Sequence, residues 1–260
     1  MATQKNGVPR CVLITGATGG IGSALAEEYA RAGTAVLILH GRNTALLQQV
    51  SDACTALGAR VITAAFDVRD HDTLRNWVGE MSRTEAPDLV IANAGVNINT
   101  GPGNQGEAWD DMHRLLDVNV KASMATAHAA IPAMRARRGG QIALISSLAA
   151  WRGLPETPSY SASKAAVKAY GEAMRDGLAA EGVKVNVIMP GYVESQMCFD
   201  MPGPKPFLWK APKAARVIRV GLSTNRARIS FPFPLNLGCF LLAGLHPAVS
   251  GWFLSRLGYE

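Results

Sequence analysis

Cys11-Val12-Leu13-Ile14 runs directly into Thr15-Gly16-Ala17-Thr18-Gly19-Gly20-Ile21-Gly22. The first four residues are apolar without alternation, as in a short strand buried on both faces. The glycines let the backbone turn tightly and approach a ligand closely. Ser23 to Arg31 follows with a helical pattern. A helix that starts there offers free N–H groups and the positive end of its dipole to a pyrophosphate. A generic tight turn is the competing explanation of any glycine-rich run; the strand before it and the helix after it favour the phosphate cradle.

Working outward, the same alternation fills the chain. Ala35 to Leu39 is a second predicted strand and Thr44 to Leu57 a helix. Arg60 to Phe66 is a strand ending in Asp67-Val68, followed by a helix over Asp70 to Met81. Asp88 to Ala92 is a strand ending in Asn93-Ala94-Gly95, and Glu107 to Arg137 is a long helical region carrying Asn119. Gln141 to Ser146 is a strand ending at Ser147, and Val183 to Met189 is a strand ending at Pro190-Gly191. Strand–helix alternation of this kind predicts an α/β fold with a doubly wound, mostly parallel sheet covered on both faces. Ligands then bind at the C-terminal strand ends, where Thr15, Asp67, Asn93, Ser147 and Pro190 all fall. The end of the second strand reads His40-Gly41-Arg42-Asn43, without the acid that binds a ribose 2′-hydroxyl. An arginine there pairs with a 2′-phosphate, which favours NADP(H) over NAD(H); otherwise Arg42 is a solvated turn residue.

Tyr160-Ser161-Ala162-Ser163-Lys164 opens a run of helix formers that extends to about Glu181, with Ser147 thirteen positions before Tyr160. Positions four apart share a helix face, so Tyr160 and Lys164 point into the same space. An ammonium beside a phenol favours the phenolate, which would draw the phenol toward acid–base chemistry near neutral pH. Taken alone, such a pair is more often two amphipathic residues on a half-exposed helix; the convergence of the strand ends is what gives it weight. Strand alternation turns Ser146 away and leaves Ser147 as the reactive hydroxyl.

In this order and spacing, the Thr15–Gly22 turn, Asp67, Asn93-Ala94-Gly95, Asn119, Ser147, Tyr160 with Lys164, and Pro190-Gly191 resemble the short-chain dehydrogenase/reductase family over roughly residues 8 to 200. The resemblance implies hydride transfer between a nicotinamide cofactor and a carbonyl or alcohol. It implies Tyr160 as proton donor in reduction and Lys164 on the nicotinamide ribose. Ser147 would bind the substrate oxygen, and Asn119 would anchor a water in a relay toward Lys164. Gly16, Thr18, Gly20, Ile21 and Gly22 would form the phosphate cradle. Asp67 and Val68 would contact adenine, and Asn93, Ala94 and Gly95 would line the adenosine ribose. Pro190, Gly191 and Val193 would pack on the nicotinamide, and Ser195 would hold its carboxamide.

The 260 residues, 48% of them apolar, fit one domain with a real core. Cys11, Cys54, Cys198 and Cys239 have no metal or pairing motif and read as reduced thiols of a cytoplasmic protein. Cys198 is expected to line the pocket as a small hydrophobe. His40, His71, His113, His128 and His246 share no metal or triad spacing and read as surface or capping residues. No metal is expected, and residues 1 to 10 contain no apolar signal sequence. The net charge of +6 is uneven: Met201 onward carries eight basic residues and one acid, so this segment is +7 and the rest −1.

Residues 1–225 are therefore expected to form the catalytic body, with a substrate lid near 196–213, and 226–260 an apolar extension of the same domain. The lid carries Met197, Phe199, Met201, Phe207, Leu208 and Trp209 among Pro202, Pro204 and Pro206, which suits a lipophilic carbonyl substrate. Where many family members end in a strand and a Val-Asp-Gly-Gly turn, this chain has Arg226 to Pro234 and then the apolar run Leu235 to Leu245. That run is too short to span a bilayer, which needs about 20 residues. Three readings of the tail stand open: a cap over the cleft, a dimer interface, or a contact with an anionic membrane surface. Ser161, Ala162, Ala165, Ala166 and Ala169 allow close helix approach and so a homo-oligomer, or else burial on the monomer's own sheet. Other function classes fare less well. A cofactor-binding regulatory module would be expected to lack a member of the catalytic set. A nucleic-acid binder would need a basic–aromatic groove. An epimerase or dehydratase would be expected to run longer.

Overall fold

Strand β1 (Cys11–Ile14) sits in the middle of a seven-stranded sheet of order β3-β2-β1-β4-β5-β6-β7. The other strands are β2 (Val36–His40), β3 (Arg60–Ala64), β4 (Leu89–Ala92), β5 (Gly140–Ile145), β6 (Val183–Pro190) and β7 (Arg228–Phe231). Every neighbouring pair is parallel. The computed structural model describes residues 7–101, 105–201 and 203–256. Pro202 of the expected lid and Leu257 and Glu260 of the tail lie outside them.

The helices are α1 (Gly20–Arg31), α2 (Thr44–Ala56), α3 (His71–Thr84), α4 (Trp109–Leu116), α5 (Ala122–Ala136), α6 (Pro158–Leu178), α7 (Gln196–Phe199), α8 (Ala211–Ser223), α9 (Leu235–Ala243) and α10 (Pro247–Arg256). Alternate residues of each central strand feed opposite cores. Val12, Leu37, Ile91 and Ile188 pack with Leu25 and Tyr29 of α1 and Ile218 of α8. Leu13, Ile38, Val90 and Val185 pack with Leu74 of α3, Met134 of α5 and Val167 of α6. Burial on both faces explains why these strands read as unbroken apolar runs. Each fully buried leucine contributes roughly 1.5–3 kcal/mol relative to exposure.

The chain departs from the sequence expectation in four places. The helix expected from Ser23 starts at Gly20, so its first turn lies inside the glycine run itself. The long helical region around Asn119 is α4 and α5 joined by a π turn over Asp117–Lys121. The last residues of the segment 196–213 expected as a lid are helical, because α8 already begins at Ala211. The region that lacks the expected terminal turn still forms a last strand, β7, paired with β6.

The strand order reverses between β1 and β4, where consecutive crossovers leave in opposite directions. A crevice opens outside the C-terminal strand ends at such a point, and the cavity described next occupies it.

Candidate active site

One cavity of about 590 Å³ runs along the strand ends from the α1 turn to the tail. Its lining takes in Gly16, Thr18, Gly20, Ile21, Gly22, Arg42, Val68, Asn93, Ala94 and Gly95 at one end. Ser147, Tyr160, Lys164, Pro190, Gly191, Val193 and Ser195 line its middle. Asp67 and Asn119 are not among the lining residues.

The glycine turn is packed without slack. A Cβ on Gly16, whose φ is +68°, would meet Ala94 Cα at 2.7 Å; one on Gly20 would meet the Glu194 carbonyl at 2.7 Å; one on Gly22 would meet the Gly16 carbonyl at 2.2 Å. Asn93 holds the turn closed, its Nδ2 donating to the carbonyls of Thr15 (3.0 Å) and Gly16 (2.9 Å). Thr15 Oγ1 accepts in return from the backbone N–H of Asn93. The first turn of α1 has no side-chain cap, so its leading N–H groups are left for a ligand. A cradle of bare backbone at a helix start, on the cavity wall, fits the diphosphate of a dinucleotide.

His40, read from sequence as a surface or capping residue, is buried and holds this turn from below. Its Nδ1 accepts from Gly16 N at 3.4 Å and its Nε2 lies 3.0 Å from the Phe66 carbonyl. The ring therefore serves as the neutral Nε2–H tautomer. Burial pushes its pKa down, with the Phe66 contact opposing, and it packs on Phe66 and Trp77. The sequence signal was there, an imidazole at the last position of a buried strand beside Gly41. His246 does cap, accepting from Ala248 N at the start of α10.

At the far end of β2, Arg42 is exposed on the cavity wall, with no ion-pair partner among the described residues. Asp67 turns instead to Arg69, which donates to it from Nε at 2.9 Å and from Nη2 at 2.7 Å. Those bonds hold its carboxyl below the usual carboxylate range.

The Tyr160–Lys164 pair lies at the centre, with Lys164 Nζ 5.6 Å from the phenol ring centre. Lys164 Nζ donates to the Ile145 carbonyl at 3.0 Å, and Ser146 Oγ donates to the Lys164 carbonyl at 2.7 Å. Ser146 thus fastens α6 to β5 while Ser147 faces the crevice. Ser147 Oγ accepts from Ala149 N at 3.1 Å and donates to the Pro190 carbonyl at 3.5 Å, and its hydroxyl favours the Tyr160 phenolate. The expectation that Lys164 makes Tyr160 acidic is not met by the protein alone. Burial pushes the phenol up, and the Ser147 hydroxyl offsets only part of that. Burial also pushes Lys164 down to about 8. A dry crevice disfavours both charged forms at once.

Asn119, fully buried, spends its side chain inside the protein. Val96 N donates to its Oδ1 at 2.8 Å, and its Nδ2 donates to the Val96 carbonyl and to Ser163 Oγ, both at 3.0 Å. The π turn carries it there, wedging the loop after β4 against α6. Glu107, expected to begin the long helical region, lies before α4 and caps α6 instead: its carboxylate accepts from Ser159 N at 3.1 Å, a favourable place for an anion.

The remaining walls come from the segment after β6 and from the tail. Met197, Cys198 and Met201 line the cavity, as do Leu235, Gly238, Cys239, Leu242 and Leu254. Burial pushes the Cys198 thiol up, as suits a wall rather than a nucleophile. Trp209 instead stacks on Phe231, ring centres 5.1 Å apart, and Phe199 and Phe207 are exposed. Among the described residues no helix is long and apolar enough to cross a membrane, and no cluster could hold a metal ion.

Known proteins share this architecture. The family model for short chain dehydrogenases matches residues 10–202. An uncharacterized oxidoreductase of Myxococcus xanthus is 36% identical over 227 residues, covering 87% of this chain and 88% of that one. A short-chain dehydrogenase from Sphingobium yanoikuyae in complex with NADPH superposes with a TM-score of 0.79 at 23% identity, over 94% of each chain. One from Mycobacterium paratuberculosis bound to NAD gives 0.74 at 26% identity, over 88% of this chain and 98% of that one. With its parallel sheet, its glycine cradle at the strand ends and these relatives, the chain belongs to the short-chain dehydrogenase family of oxidoreductases.

Proposed function

We propose that the protein reduces a lipophilic carbonyl, or oxidises the matching secondary alcohol, with NADP(H), and that Tyr160, Lys164 and Ser147 carry the reaction. The observation that supports this best is that the three side chains share one crevice with the glycine cradle, between a polar dinucleotide end and an apolar end. When bound, the nicotinamide supplies or takes up the hydride. Ser147 and Tyr160 donate to the oxygen on which charge grows, and Tyr160 passes its proton to it. Lys164 holds a positive charge beneath them and binds the ribose hydroxyls. Asn119 acts by holding the loop after β4 against α6; its side chain is already paired. Incubating the protein with NADPH and a panel of ketones and aldehydes, while following nicotinamide absorbance, tests the reading; tight NADPH binding with no turnover of any carbonyl counts against it.

The pH dependence follows from Lys164. Its pKa is pushed down to about 8 by burial, so the cation is present below that pH and is lost above it. kcat/KM for carbonyl reduction should therefore fall as pH rises through about 8. A profile that stays level to pH ~10, where an unperturbed lysine titrates, would contradict the role.

Arg42 is the side chain on the cavity wall that suits a 2′-phosphate. Arg42→Ala is expected to raise KM for NADPH about 10- to 100-fold, the cost of a charge-assisted bond pair, while KM for NADH changes little. Equal effects on the two cofactors would show that Arg42 does not read the phosphate.

A second reading concerns the surface. Helix α9 is apolar on every side yet has no buried residue. Leu237, Phe240 and Leu241 are exposed on it, as are Trp252 and Phe253 on α10. A helix of this kind is normally covered, and the basic C-terminal segment favours anionic headgroups. We take a membrane surface as the cover, from which a lipophilic substrate would enter beside Leu235 and Leu242. Sedimentation with phosphatidylserine vesicles at low salt should pellet the protein, and Phe240→Glu with Leu241→Glu should release it. A stable dimer in solution that those changes split, with no vesicle binding, would make the cover a second copy. The small residues of α6 divide between the two uses expected of them, Ser161 buried and Ala162 and Ala169 exposed, leaving that outer stripe for a partner helix.

A further inference from the structure

Among the described residues no Asp or Glu lines the cavity, whereas Arg42, Lys164 and Arg152 do. Arg42 belongs to the dinucleotide end and Lys164 to the reaction centre. Arg152 has no part in either. It follows Ser147 by five residues, beyond the short 3-10 turn Leu148–Ala150, and stands among apolar walls made by Leu154, the lid and the tail.

Its side chain is half-buried and fixed in place. Nε donates to Ser250 Oγ of α10 at 2.9 Å, and Nη1 donates to the Gly153 carbonyl at 3.0 Å. Ser250 is itself fully buried. No carboxylate pairs with this guanidinium among the described residues, and no bond from Nη2 to the protein is among those described. An arginine held by two neutral partners on an apolar cleft wall keeps donor capacity for an anion, and the surrounding apolar surface strengthens any such pair.

We propose that Arg152 is an anion-recognition residue of the substrate site, and that the preferred substrate is an apolar carbonyl or alcohol carrying a carboxylate. One guanidinium balances one such charge, in a fork geometry that a carboxylate matches. The inference deepens the proposed reaction and rests on that reading for the site it describes. The alternative role is a purely structural clamp, in which Arg152 only ties the 3-10 turn to α10.

Calorimetric titration of the NADPH-loaded protein with a series of long-chain oxo acids, each paired with its methyl ester, separates the two. For at least one chain length the acid should bind about 10- to 100-fold more tightly than its ester, the range for a charge-assisted bond. Arg152→Gln should bring that ratio to about one, and Arg152→Lys should restore much of it. A clamp predicts no acid preference in the unmodified protein, and that result overturns the proposal. So does a preference that Arg152→Gln leaves intact in protein whose circular dichroism is unchanged. Should Arg152→Gln fail to fold, Arg152→Lys and the unmodified protein still decide through the acid-to-ester ratio. Binding is read separately from turnover: acid preference without reduction of any oxo acid would sink the reaction and keep the anion site.

Discussion

Tyr160→Phe is expected to lower kcat for carbonyl reduction about 100-fold or more, the usual loss when a general acid is removed. The substitution keeps the ring, so packing and the position of α6 should persist and the melting temperature should move little. What disappears is the proton that the proposed reaction passes to the substrate oxygen. Ser147 remains as a donor, so a residual rate from charge stabilisation is expected. Because burial holds the phenol in its protonated form, the residue is loaded for donation before any carbonyl arrives. Steady-state rates beside a thermal melt check this, and turnover near that of the unmodified protein would remove Tyr160 from the mechanism.

Gly22→Ala is expected to cripple cofactor binding. The added methyl would stand 2.2 Å from the Gly16 carbonyl and 2.7 Å from Asn93 Nδ2, and the first of these is backbone. The turn has to open, and it carries the N–H groups meant for the diphosphate. NADPH affinity should fall at least about tenfold, equivalent to ~1.4 kcal/mol. Overpacking of about 2 kcal/mol should also lower the melting temperature by about 6 °C in a chain of this size. Gly177→Ala is the control: nothing lies within 4 Å of its Cβ site in α6, so the helix should gain about 0.5–1 kcal/mol. Titration of cofactor fluorescence and thermal melts on both variants read the contrast. Unchanged NADPH affinity in Gly22→Ala would mean that the turn does not hold the diphosphate.

The middle of the sheet was legible because β1, β2 and β4 are buried on both faces and leave unbroken apolar runs. The site residues at the strand ends were legible for a related reason: Thr15, Asn93, Ser147 and Pro190 each follow such a run directly. His40 was misread because its partners, Gly16 and Phe66, are 24 and 26 residues away, and no local pattern records that distance. The direction of the Tyr160 shift was misjudged for a different cause. Sequence spacing gives the neighbour's charge, whereas desolvation depends on the lid, the tail and β5 closing over both groups. The family resemblance implies an adenine contact for Asp67, and no local pattern announced that Arg69, two residues on, would pair with its carboxylate. The tail stayed open because α9 is apolar all round, so its composition names no inward face. Only the packed chain shows Leu235 and Leu242 turned to the cleft and Leu237 and Leu241 turned out.

In the proposed reaction, this crevice moves a hydride between a nicotinamide and a carbonyl carbon under the control of the Tyr160 proton. Incubation with NADPH deuterated on the transferable position, followed by mass spectrometry of the product alcohol, tests it most directly. One deuterium is expected on the carbinol carbon with the unmodified protein and almost none in the same time with Tyr160→Phe. Oxidation of the cofactor without label in the alcohol, or equal labelling by both proteins, would contradict it.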